Sequence, residues 1–156
     1  MHFAAAIASI AALAPLASAA GNAIISNKCD SPVYAWSVGS SVGSQQTIQP
    51  GAQYSEPLRR DSVSGGISLK ITTEANGLYN GSPQTNLAYT LDTERVWYDL
   101  SDVFGDPFSG KSIVVNPSVT SCPNICWANG VSPGGSQTKD CEAGSDITLT
   151  LCADKC

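Results

Sequence analysis

The placement of six cysteines constrains this chain more than any other feature. Cys29 stands alone near one end, while Cys122, Cys126, Cys141, Cys152 and Cys156 crowd the other. An even count behind an export signal reads as three disulfides, and six cysteines allow fifteen pairings. If all six pair, Cys29 must bridge into the 122–156 region. That bond would tie the chain ends together and close a loop from 29 to at least 122. On a chain-entropy account it contributes roughly 4–5 kcal/mol. The alternative is a metal site, but Cys122-x-x-x-Cys126 is not the C-x-x-C knuckle of zinc sites, and no metal is expected.

The export signal is residues 1–20, MHFAAAIASIAALAPLASAA. It carries no Asp, Glu, Lys or Arg and ends in small residues. Ala17-Ser18-Ala19 and Ser18-Ala19-Ala20 both fit the small-x-small cleavage rule, which starts the mature chain at Ala20 or Gly21. Pro15 interrupts the run, and its apolar part is short for a membrane span. No second apolar stretch of spanning length follows, and LTLCADKC is too short and polar for a lipid-anchor signal. Residues 21–156 are therefore expected to form one secreted domain without a membrane span.

The formal charge is −5, with 13 acids against 8 Lys and Arg. Nucleic-acid partners select basic faces, so they are not expected. Charged residues make up only 13% of the chain, which suits strands and turns rather than a charged helical bundle. Candidate strands are 23–26, 32–38, 67–73, 86–91, 95–100, 112–116 and 146–152, rich in Val, Ile, Thr, Tyr and Trp. ISLKITT and DITLTL alternate apolar and polar positions. GSSVGSQQ, QPGAQ, SVSGG, EANGLYNGSP, GDPFSG and NGVSPGGS read as turns or loops. The Cys-rich 121–141 stretch reads as an irregular loop, with Trp127 packed over a disulfide. No helical stripe exceeds two turns, and the pattern points to an antiparallel β-sandwich or barrel.

The one histidine, His2, lies in the signal. The mature chain thus has no imidazole for a Ser-His-Asp triad, a His-ligated zinc or a copper centre. Oxidised cysteines are not nucleophiles. No dinucleotide or phosphate-loop motif occurs, and no cofactor is expected. Carboxylates remain: Asp92, Glu94, Asp99, Asp102 and Asp106 cluster along the chain beside Arg95. Two carboxylates across a sugar could hydrolyse a glycosidic bond, whereas a solvated acidic face is the plainer reading. Tyr34, Trp36, Tyr89, Trp97 and Tyr98 lie on candidate strands and could form sugar platforms, with core packing the default for Trp36 and Trp97. Asn80-Gly81-Ser82 is an N-glycosylation sequon, and Pro83 follows it.

Several segments together resemble the thaumatin-like superfamily. IISNKCDSPVYAWS resembles its opening strands, IQPGAQYS its Pro-Gly turn, and SGGISLKI its G-G-x-I strand. NLAYTL is similar to its T-L-A-E-F-T-L strand, and WYDLSDVFG to its F-Y-D-V-S signature. DITLTLC resembles the closing strand, whose cysteine bridges to the first one, which implies Cys29–Cys152. The chain is most similar to the small secreted thaumatin-like proteins of fungi, the yeast-phase-specific antigen group, which lack the large disulfide-rich second domain of the plant proteins.

The resemblance implies an all-β, thaumatin-like antiparallel sandwich with three disulfides. The plant proteins carry an acidic cleft. Of its residues, Asp99 matches here, Lys70 stands for an Arg, Phe104 for an Asp, and the Glu of the T-L-A-E strand has no counterpart. Asp102 or Asp106 could replace one carboxylate. The resemblance therefore implies a non-enzymatic, monomeric protein of the cell wall. Its expected partner is wall β-glucan or a host surface or matrix protein. Expected roles lie in the spore or hyphal wall, germination, antigenicity, adhesion or virulence. The expected ligand-binding residues are Asp99, Asp102, Lys70 and Tyr89. A β-1,3-glucanase using Asp99 with Asp102 or Glu94 is the first rival. A secreted antifungal protein ranks last, because an acidic chain is not drawn to anionic lipid.

Overall fold

The computed structural model describes residues 19–156, so most of the 1–20 signal lies outside the described residues. Eleven strands and one helical turn follow in order: β1 Asn22–Asn27, β2 Val33–Val38, β3 Gln46–Ile48, β4 Gln53–Pro57, β5 Ile67–Thr72, α1 Gly77–Asn80, β6 Gln84–Leu91, β7 Arg95–Val103, β8 Ser112–Pro117, β9 Ile125–Trp127, β10 Lys139–Glu142 and β11 Ile147–Ala153. They form two sheets, ordered β4-β1-β11-β8-β9 and β10-β7-β6-β5-β2-β3.

Alternation decides which side chains meet between the sheets. The first sheet contributes Ile25, Ile113, Val115, Ile147, Leu149 and Leu151, all fully buried. The second contributes Leu69, Ile71, Leu87, Tyr98 and Leu100, each buried as completely. Burying one such side chain stabilises the fold by about 1.5–3 kcal/mol before the entropy of ordering the chain is counted. Trp127 joins this core, as does Cys141.

All seven candidate strands form, with shifted ends. Antiparallel pairing is general, with one exception. β1 and β11 run parallel, Ile25 beside Leu149 and Asn27 beside Leu151. Both strands leave the sheet at the same end, where Cys29 bridges Cys152. The other disulfides are Cys122–Cys141 and Cys126–Cys156.

Four short strands lie outside the seven expected. β3 and β4 take only their first residues, Gln46 and Gln53, from the expected loops GSSVGSQQ and QPGAQ, and they lie at sheet edges, where short strands and Pro57 are tolerated. The Cys-rich stretch holds β9 and the start of β10, which pair with β8 and β7. Backbone groups beside a buried core need partners, and edge pairing supplies them to segments of little intrinsic strand character.

Candidate functional site

The outward face of the second sheet follows from the same alternation. Val96, Tyr98 and Leu100 turn inward, so Arg95, Trp97, Asp99 and Ser101 turn outward. Trp97 is 46% exposed, which corrects its assignment to the core. Trp36 is buried as expected, yet it sits on this outward face in register with Lys70. Tyr79 of α1 covers it edge-on, with ring centroids 6.4 Å apart.

A shallow groove of about 470 Å³ crosses this face. Trp97, Asp99 and Thr138 form one wall, Ala88 and Ser68 the floor, and Gly39, Ser64 and Gly66 the far rim. The floor is flat because Ala88 and Ser68 are small and pair across β6 and β5. Arg95 pairs with Asp140 beside Trp97, which sets a charged pair at the end of the groove. Asp99 Oδ1 accepts the Gln137 N–H at 3.1 Å and pins the 132–138 loop to the groove wall.

Asp61 shapes the opposite rim. Its carboxylate accepts the N–H groups of Val63 and Ser64 at 3.0 and 2.7 Å and the Ser40 hydroxyl at 2.8 Å. Those donors, Ser64 first, hold the carboxyl well below the usual range. Asp61 thereby ties the 39–41 turn to the 61–66 loop. The Asp-x-Val-Ser spacing of an Asx turn was the available sequence signal.

Of the expected site residues, Asp99 and Tyr89 border the groove, whereas Asp102, Lys70 and Glu94 do not. Asp102 sits on the inward side of β7, opposite Thr85, and accepts the Thr85 hydroxyl at 2.5 Å. Its second oxygen is buried without a partner. Burial pushes its pKa up to about 7, with a further contribution from Asp106. The inward turn corrects its placement beside Asp99. Tyr89 borders the groove between Ala88 and Thr90, but not as an exposed ring platform. Its ring is in the core, 2% exposed, and its hydroxyl donates to Glu56 at 2.8 Å. Glu56 also accepts the hydroxyls of Tyr54 and Ser37. Lys70 shares the outward face but lies off the groove, beside Asn86. Glu94 occupies the β6–β7 turn, about 16 Å from Asp99 by strand rise. Asn80 ends α1, exposed, and its Oδ1 accepts from the Ser82 hydroxyl at 2.6 Å. Among the described residues no cluster of three or more metal-ligating side chains occurs, and no helix is long and apolar enough to cross a membrane.

The profile of the Blastomyces yeast-phase-specific protein family, Bys1, matches residues 10–153. The chain belongs to this family. Among the relatives of this chain, an antigenic thaumatin-like protein of Arthroderma benhamiae is 34% identical over 95% of this chain and 80% of its own length. A secreted thaumatin-like protein, calA of Emericella nidulans, is 27% identical over 86% of this chain and 82% of its own. The crystal structure of the protein elicitor MoHrip2 from Magnaporthe oryzae superposes with a TM-score of 0.71 at 26% identity, covering 86% of this chain and 100% of that one. The thaumatin-like xylanase inhibitor TLXI gives 0.57 at 15% identity, over 83% and 98%. The fold of this Bys1 member is thus a thaumatin-like β-sandwich, and the three disulfides and the secreted relative fit an extracellular protein.

Proposed function

We propose that this is a non-enzymatic, wall-associated member of the family that binds wall polysaccharide, β-1,3-glucan first, through the groove of the second sheet. One observation carries the reading. A tryptophan that alternation forces outward lies beside a small-residue floor and a carboxylate with one oxygen to spare. The apolar face of a pyranose stacks on such a ring, and Asp99, Ser68, Thr90 and Thr138 supply hydrogen-bond partners for its hydroxyls. Through such binding the protein would serve the spore or hyphal wall, germination or adhesion to a host surface. A glucanase has less support, because Asp99 and Asp102 face opposite sides of one sheet and cannot flank the same bond.

The test is co-sedimentation of the mature protein with insoluble β-1,3-glucan, chitin and whole fungal walls, with reducing sugar measured in the same supernatants. Depletion onto glucan without sugar release, weakened at least tenfold by Trp97→Ala, is the expected result. Sugar release that tracks Asp99 would replace this reading with a glycosidase. Absence of both would move the partner to a host surface or matrix protein.

A further inference from the structure

A second cavity, also of about 470 Å³, opens at one end of the sandwich and shares no lining residue with the groove. It lies where the chain passes from one sheet to the other. Lys28 to Val33 lead from β1 into β2, Cys152 and Ala153 end β11, and Pro107 to Lys111 precede β8. Its volume lies in the range of small-molecule sites, which are mostly apolar with a few placed polar groups.

The lining here is mixed: Lys28, Asp30, Ser31, Thr73, Ser109 and Lys111 alternate with Pro32, Pro107, Ala153 and the Cys29–Cys152 bridge. Val33 and Phe108 are core residues, 1% and 3% exposed, and they line the cavity together with Pro32, Pro107 and the Cys29–Cys152 bridge. Lys28 and Lys111 are exposed and also line it, against the single carboxylate of Asp30. In a chain of net charge −5 with 8 cationic side chains, two of them stand at one cavity. Among the described residues the one ion pair is Arg95–Asp140, so neither ammonium is held by a carboxylate.

Both walls are preformed. Asn27 Nδ2 donates to the Ser31 carbonyl at 2.9 Å, and its Oδ1 accepts the Cys29 N–H at 2.9 Å. On the other side, Lys111 N–H donates to Phe108 O at 2.9 Å and Gly110 N–H to Asn129 O at 2.8 Å. A preformed site binds without first ordering its own loops.

We infer that this cavity binds a small amphiphilic anion, an apolar body seated against Pro32, Pro107 and the Cys29–Cys152 bridge, which cover Val33 and Phe108, with one carboxylate at Lys28 and Lys111. A medium-chain fatty carboxylate has that chemistry.

The test titrates the mature, disulfide-intact protein with 8-anilinonaphthalene-1-sulfonate as probe, then displaces the probe with decanoate or with uncharged decanol. The expected result is saturable 1:1 binding, displaced by decanoate at least tenfold better than by decanol. Lys28→Glu/Lys111→Glu should weaken it at least tenfold, and Ser109→Trp, placed at the cavity wall, should block it. Arg60→Glu/Lys139→Glu, of equal net charge, should leave it unchanged. Circular dichroism confirms that each variant is folded. Absence of saturable binding overturns the proposal. So does binding that both charge-reversed variants retain equally, which would assign the probe to another surface, such as exposed Tyr79 and Phe104.

Discussion

Asp99 and Asp102, three residues apart on β7, face opposite sides of the same sheet. Asp99 turns to solvent and holds the Gln137 amide, while Asp102 turns inward against Thr85. Two carboxylates close in sequence therefore have separate physical roles.

The first role predicts a local effect. Asp99→Ala should leave the sandwich folded but free the 132–138 loop. Hydrogen exchange at the Gln137 amide should accelerate about tenfold, the loss of one charge-assisted hydrogen bond. Asp99→Asn retains an acceptor oxygen and should change that rate much less. Equal protection in wild type and Asp99→Ala would show that the carboxylate does not hold the loop.

The second role predicts a pH dependence. The folded pKa of Asp102, about 7, lies above the ordinary value near 3.9. Between those values the folded state keeps a proton that the unfolded state has released. Stability from this group is therefore fully present below about pH 4 and is lost as pH rises to about 7. Urea midpoints at pH 4.5, 6 and 7.5 should fall more steeply for wild type than for Asp102→Asn. Parallel curves would refute the shift.

Asn27 is fully buried and bonds Ser31 O, Ile48 O and the Cys29 amide. Asn27→Ala leaves two carbonyls and an N–H without that partner, and should cost about 2–4 kcal/mol. The denaturant midpoint should drop while the slope stays constant. A loss below about 0.5 kcal/mol would mean that water replaces all three bonds.

Gly130 has φ 60°, and a Cβ there would overlap the carbonyl oxygens of Phe108 and Lys111. Gly130→Ala should cost about 3 kcal/mol or more, through strain and displaced backbone. Gly134, also at positive φ, has open space around it. Gly134→Ala should cost about 1 kcal/mol, and thermal unfolding of the two variants separates the cases.

Strand content was legible because Ile67-x-Leu69-x-Ile71 and Ile147-x-Leu149-x-Leu151 alternate cleanly. The parity of β7 was legible too, since Val96, Tyr98 and Leu100 are spaced by two, and reading it strictly would have turned Trp97 and Asp99 outward and Asp102 inward. Composition hid this, because a tryptophan among apolar neighbours reads as core. Edge strands such as Gln53–Pro57 were not legible, because their conformation comes from neighbouring backbone rather than from their own side chains. Trp36 shows the converse. It lies on an outward face and is buried only because Tyr79, 43 positions later in the chain, folds over it, a contact with no local signature.

The parallel union of β1 with β11 carries a consequence for biogenesis. The earliest strand to emerge lacks its central neighbour until almost the whole remainder has been delivered, and Cys29 waits as long for Cys152. Pairings of such sequence separation form slowly and late. In a nascent chain crossing a membrane amino-end first, β4 can pair with one edge of β1 early, but the other edge stays open until β11 arrives, so quality-control factors of the secretory route would meet that edge before β11 does.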